Sequence, residues 1–414
     1  MKKRFLALVL CLLFVATVFV GCGKTDYETA KEYTDTHELT PEKEYVTLNM
    51  YLPCDGTIDA VTVKAMQSEF NSIIEPLYRT RIAFHLVDEA QYAELLWQQA
   101  NTAKTNQDAG VVDDTKPELG DRYPKEGASQ FDIFVVMDKA MLDTYVNAGF
   151  TANLTTELKT TYQIKLNNTT RPETSISKVL YENAVYEVPK TDENGAVVKD
   201  ETGKTLTETR YYGVPANFLV GQYTYYVIDR TFFDTYYGSE REGATTAEVL
   251  SGLKDKPEYD TKCQIVTGDY RTRFNYDADS YKVLVDDSTT PTVAYNDLFT
   301  GMFCISTLCK YPERALQVIT ELYTNRDLHT TLQYGAKNVT YTFVTDENGN
   351  NLYVAPKEGA PAYRINKAYT GNVLTLYPTT DETFASDTSY AKYGIDAEYV
   401  KYFILQNQDA VCHK

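Results

Sequence analysis

Tyr211–Gly238 reads YYGVPANFLVGQYTYYVIDRTFFDTYYG. Gly213, Pro215 and Asn217 set a turn. Tyr223, Tyr225 and Val227 then alternate as a strand does, and Asp229 to Tyr236 reads as the start of a helix. Together with what precedes it, the stretch predicts a chain that leaves one α/β lobe and enters a second.

Upstream, the pattern alternates between strands and helices. Tyr45–Leu52 has strand periodicity, and Val61, Val63, Met66, Phe70 and Ile73 recur at helical spacing. Thr80–Val87 is a second strand, Gln91–Lys104 a second helix with Tyr92, Leu95, Leu96 and Ala100 on one face. Phe131–Met137 is apolar enough for a central strand, and Met141–Ala148 follows as a helix. This order implies a parallel sheet covered by helices on both faces. Ligands bind such sheets beyond the C-terminal ends of the strands, which here are Pro53–Thr57 and Asp138–Ala140. Residues 185–213 contain two Asn-Gly or Thr-Gly turns and read as a hairpin excursion before the crossing. Downstream, Thr246–Leu253, Lys262–Val266 and Tyr281–Val285 supply a helix and two strands. A long helix then begins after Pro312, and Tyr341–Val344 with Leu352–Val354 form a hairpin.

Several phrases resemble the extracellular solute-binding proteins of bacterial ABC importers, of the sugar-binding family 1 type found in Firmicutes. They are the Gly213-Val214-Pro215 turn before a Tyr-rich strand, Gly301-Met302-Phe303-Cys304-Ile305-Ser306, Lys310-Tyr311-Pro312-Glu313-Arg314-Ala315, and Tyr369-Thr370-Gly371-Asn372. The resemblance implies a periplasmic-binding-protein-like α/β fold: two lobes joined by crossing segments, with a ligand gripped between them. The second lobe is abbreviated and the chain resembles a truncated member. The boundaries expected are 1–21 signal peptide and 22–44 flexible spacer. The first lobe is 45–215 with 298–335, the second 216–297 with 336–414.

The start of the chain reads as an address. Lys2, Lys3 and Arg4 precede the apolar run Phe5–Val20, the pattern of a secretion signal, and a retained membrane helix is the competing reading. Gly21 directly before Cys22 is what a lipoprotein signal peptidase accepts, which would make Cys22 the acylated (diacylglyceryl, palmitate-bearing) N-terminus. The expected location is the extracytoplasmic face of the cell membrane, held by lipid alone. The net charge is −18, and loss of the leader removes three further cations. So acidic a chain is a poor partner for nucleic acid, whose phosphates require Lys and Arg.

Chemistry has few footholds. The four His residues are scattered, and no Cys/His spacing fits zinc. No HExxH, GxSxG or phosphate-binding Gly loop occurs. Asp192, Asn194 and Asp200 fail the spacing of a calcium loop. Acidic pairs such as Asp286-Asp287 would be needed for glycoside hydrolysis, but none falls at a strand end beside an aromatic platform. Cys304 and Cys309 read as buried small hydrophobes at the start of a helical segment. The expectation is therefore a non-enzyme without cofactor or metal. Its partners would be a small solute, a carbohydrate by the resemblance, and the permease subunits of an importer. Candidate ligand-binding residues are Tyr51, Asp55 and Asp138 near strand ends, Asn217, Phe218, Gln222 and Tyr223 at the crossing, and Tyr369 and Asn372 in the late segment. The alternative is a surface scaffold or adhesion lipoprotein, or a decayed binding protein, with no transport role.

Overall fold

A computed structural model describes residues 44–113, 119–160, 178–238, 244–379, 402, 405–406 and 410–413. The signal, Cys22 and nearly all of the spacer lie outside them, as does most of the chain after residue 379. Among the described residues no helix is long and apolar enough to cross a membrane.

The first sheet holds β1 (Val46–Cys54), β2 (Thr80–Asp88), β3 (Ile133–Val136) and, later in the chain, β10 (Met302–Ile305), in the order β10-β3-β1-β2. β1 runs parallel to β2 and β3, as the alternating order predicts. β10 adds an antiparallel edge, with Phe303 opposite Val135. All nine residues of β1 are buried because helices cover both faces. Those helices are α1 (Ala60–Tyr78), α2 (Glu89–Asp108) and α3 (Lys139–Asn147), with two later ones, Pro312–Thr324 and Arg326–Tyr334, described below. Asp59 caps α1 by accepting from the N–H groups of Val61 and Thr62. The buried Tyr92 hydroxyl lies 2.8 Å from the carbonyl oxygens of Tyr51 and Val135, which pins α2 to two strands. Cys304 sits in strand β10 and Cys309 ahead of the helix that begins at Pro312, so neither opens a helix as expected; both are buried and unpaired with another cysteine.

The 185–213 excursion forms β4 (Tyr186–Pro189) and β5 (Thr207–Arg210), an antiparallel hairpin. The chain then crosses and enters β6 (Gly221–Asp229), the central strand of a second sheet. β7 (Cys263–Gly268) pairs along one side of β6. β8 (Tyr281–Val285) and β9 (Thr292–Ala294) pair along the other, and β13 (Val411–His413) runs beside β9. Two helices, α4 (Arg230–Tyr236) and α5 (Thr246–Leu253), pack Phe232, Phe233, Val249 and Leu250 around Ile228. A reciprocal Thr245–Glu248 capping box starts α5. The returning helices α6 (Pro312–Thr324) and α7 (Arg326–Tyr334) rejoin the first lobe, and the hairpin β11 (Tyr341–Thr345) with β12 (Asn351–Pro356) follows.

The two α/β lobes thus pack around three separate clusters, one of them the Ile228 group just described. The first is built on Met50, Phe70, Phe134, Phe303 and Ile319, among others. The second is largely tyrosine: Tyr223, Tyr225, Tyr270, Tyr334, Tyr341 and Tyr402. Ile365, Ala368 and Tyr369, from the late segment, pack into the first core.

Candidate functional site

Three stretches pass between the lobes. The first is 211–221. Val214 exchanges backbone hydrogen bonds with Phe303 of β10, at 2.8 and 2.9 Å, which ties the turn to the first sheet. Gln406 then clamps its far end: its side-chain oxygen accepts from the N–H groups of Val220 and Gly221 at 2.7 and 2.8 Å. The second stretch runs from β8 through β9 to β10. The third is a strap over residues 363–376, laid along the C-terminal ends of the first sheet's strands.

The strap is held at each strand. The Asp55 N–H, just past β1, donates to the Arg364 carbonyl at 2.9 Å. Gly301, at the start of β10, adopts φ +73°, and a Cβ there would stand 1.7 Å from the Ala368 carbonyl oxygen, so only glycine permits this approach. Tyr369 is buried beside Glu89 and Asp138; burial, and then those two carboxylates, push its phenol well above the usual range. Behind the strap, His329 of α7 is fully buried with its two ring nitrogens 2.7 Å from Thr375 Oγ1 and 3.0 Å from Thr370 Oγ1. Burial holds its pKa down to about 3, so it is a neutral strut.

The strap's other side meets the second lobe. Lys367 is 6% exposed, and its ammonium lies 5.6 Å from the centre of the Tyr270 ring. Arg273 stacks over the same ring at 4.8 Å and over Phe274 at 4.4 Å. Arg271 is ion-paired with Asp269 at 2.6 Å. Burial, reinforced by the Arg271 and Arg273 charges, lowers the Lys367 pKa to about 7.

The expected site residues fall into groups. Asn217 and Asn372 meet across two crossing segments, and both have zero exposure. The Asn217 side-chain amide donates to the Asn372 side-chain oxygen at 2.8 Å, and the Asn372 amide donates to the Tyr323 carbonyl at 3.2 Å. They join the crossings to each other. Tyr223 is likewise core: its ring packs edge-on against Tyr402 at 5.1 Å. Tyr51 lies within β1, not after it. Its ring stacks on His85 at 4.4 Å and lines an outer recess of about 300 Å³ against α2, because side chains mid-strand point to a face and not to the strand end. Asp138 caps α3 by accepting from the Met141 N–H at 2.8 Å, and Tyr369 stands beside it. Asp55 is exposed at the strand end. Phe218 is half-buried and touches both cores, which puts it at the seam. Gln222 is half-buried in β6 opposite Thr292.

One cavity adjoins this seam. It measures about 260 Å³ and lies between the β11–β12 hairpin, the end of α7 and the start of the strap, with Tyr334, Tyr341, Tyr363, Lys357 and Arg364 on its walls. Sequence reading missed it, along with Lys367 and Arg273. The available signals were Tyr270-Arg271-Thr272-Arg273-Phe274, where two cations stand between two rings, and Tyr363–Tyr369, which carries two cations and no acid. Among the described residues no group of three or more His, Cys, Asp or Glu side chains could hold a metal ion.

No family model matches the chain, and no curated protein matches it. Among solved structures it is similar to the N-glycan transport solute-binding protein of Streptococcus pneumoniae, at 13% identity and a TM-score of 0.47 over 88% of this chain and 83% of that one. It is similar too to a sugar transporter of Rhizobium etli in an open conformation, at 8% identity and a TM-score of 0.38 over 88% of each chain. An ABC substrate-binding protein of Listeria monocytogenes in complex with cycloalternan aligns at 9% identity with a TM-score of 0.34, over 90% of this chain and 89% of that one. The chain's own sheet order, its two cores and its crossing segments define it as a two-lobed α/β protein with a strapped seam.

Proposed function

We propose that the chain is the solute-binding component of an ABC importer. It captures a small carbohydrate between its lobes and hands it to a membrane permease, and takes no catalytic part. What most supports this reading is the strap, which puts strand-end groups of one lobe (Asp55, Tyr369 beside Glu89 and Asp138) and ring-and-cation groups of the other (Tyr270, Arg273) on a common segment. A solute touching both sides stabilises the arrangement in which they approach, so binding shifts the lobes towards closure. Strand ends of an α/β sheet are where such folds take ligands, and tyrosine faces suit sugar rings.

Calorimetry and thermal shift against neutral and acidic mono- and oligosaccharides test it. A concentration-dependent rise in Tm with one sugar class is expected; a flat response to sugars and peptides alike, from folded protein, rejects it. Burial of Lys367 and Tyr369 favours a second reading, a closed surface scaffold that takes no solute, which the flat response would support. The address is part of the proposal: Cys22 carries the lipid and the protein sits on the extracytoplasmic face. Cys22→Ser is expected to abolish labelling by a palmitate analogue and release the protein from membranes; unchanged labelling would reject the anchor.

A further inference from the structure

The chain carries 58 acidic and 40 basic residues. The strap carries Arg364 and Lys367 within Tyr363–Tyr369 and no acid. On its second-lobe side Lys367 faces Arg271 and Arg273. At its start Arg364 joins Lys357 on the walls of the cavity of about 260 Å³.

That cavity differs from the other two recesses described. None of the described residues lining it is acidic. The recess on α5 holds Asp255 and Asp286 beside Lys254, and the one on α2 is uncharged apart from His85. Its size is below the ~300–1,000 Å³ of sites for drug-sized ligands, which suits a single ring. Three tyrosines line it, and two have their hydroxyls engaged elsewhere. Tyr334 donates to the Tyr377 carbonyl at 3.2 Å, and Tyr363 to the Leu332 carbonyl at 2.8 Å. Those two side chains therefore offer the ligand ring faces more than hydroxyls. Thr340 turns its hydroxyl to the Tyr334 carbonyl at 2.7 Å. Lys357 hydrogen-bonds the Asn338 carbonyl at 2.7 Å through one of its three donors. Arg364, on the wall of the same cavity, carries a guanidinium whose fork geometry suits a carboxylate.

We propose that the solute is an acidic monosaccharide unit of the uronic-acid class, its ring held against the tyrosine faces of this cavity and its acid group seated between Lys357 and Arg364. This rests on the solute-binding reading and narrows it from sugars in general to anionic ones. Lys367 and Arg273, on the far side of the strap, add positive charge near the seam.

The test is calorimetry on the full mature chain with glucuronate, galacturonate and glucose 6-phosphate, set against glucose and galactose, repeated as NaCl is raised from about 20 to 500 mM. An acidic member is expected to bind at least tenfold more tightly than its neutral counterpart and to weaken with salt. Lys357→Gln and Arg364→Gln, both on exposed side chains, are each expected to reduce that affinity about tenfold while leaving the Tm of the free protein within a degree or two. If neutral sugars bind as well, or the two variants bind the acidic sugar like the wild type, the solute-binding reading stands and the acidic assignment falls. If no sugar of either kind binds to protein shown to be folded, both fall together.

Discussion

At the scale of single residues, the seam is held by buried polar groups that are matched to one another. Asn217 and Asn372 have no exposure; their side chains bond to each other, and the Asn217 backbone bonds Gly371 and Val373 across the crossings. Removing one amide strands the other in the interior, which costs about 1–3 kcal/mol. Asn372→Ala is therefore expected to lower the unfolding free energy by that amount in urea melts, and a change under about 0.5 kcal/mol would show that water reaches the pair. His329 gives a pH signature. Its folded pKa of about 3 lies below the ordinary 6.5, so between those values only the unfolded chain takes up the proton. Its contribution is complete above pH 6.5 and is lost as pH falls towards 3. Asp132 runs the other way: burial raises its pKa from 3.8 to about 6, so its protonated form favours the fold in acid and that contribution fades as pH rises through the same range. His329→Gln isolates the first effect. The variant is expected to lose less stability than the wild type between pH 6.5 and 4, by up to about 1.4 kcal/mol per pH unit; parallel stability curves would show that the imidazole charges in place.

At the scale of elements, periodicity was a good guide and side-chain direction was not. Strands β1–β3, β6–β8, β11 and β12, helices α1–α6, the 185–213 hairpin and the point of crossing are readable from alternation, turn residues and helix starts; β9, β10, β13 and α7 are not. The Tyr223–Tyr225–Val227 alternation does lie in β6, but period two states only that these residues share a face, and that face proved to be core. Likewise Tyr51 is legible as a strand residue, whereas its partner His85 lies on β2 and could be assigned only from register. The strap was not legible at all. It has little regular structure, and what orders it is contact with strands far away in sequence. Gly301 marks the tightest of these contacts. Gly301→Ala would push a methyl group into the Ala368 carbonyl at 1.7 Å while holding an alanine at φ +73°. A loss of about 3 kcal/mol or more is expected, with failure to accumulate as folded protein as the extreme. A Tm within a few degrees of wild type would mean that the strap can lift off β10.

At the scale of the whole molecule, five described cysteines carry no disulfide. Burial drives the Cys304 and Cys309 thiols far above their ordinary range and pushes Cys54 up to about 12, so none of the three offers thiolate at neutral pH. Cys263 and Cys412 are half-buried. Thiol titration of native protein is expected to label Cys263 and Cys412 first, with Cys54, Cys304 and Cys309 reacting only after denaturant; peptide mapping of the label checks it, and early modification of Cys304 would contradict the first core. A reducing agent is expected to leave Tm unchanged. The passage from one lobe to the other was visible in the sequence at its first crossing, where Gly213, Pro215 and Asn217 punctuate the chain. How the lobes share residues 363–376 was not visible, since that depends on which core each side chain enters.

The placement of β10 has one more consequence. Residues 302–305 complete an edge that residues 133–136 leave open, so the first sheet stays unfinished until residue 305 has emerged from the ribosome. Joining segments so far apart along the backbone is slow compared with local helix formation. The nascent polypeptide therefore cannot close its first sheet until most of the chain has been made.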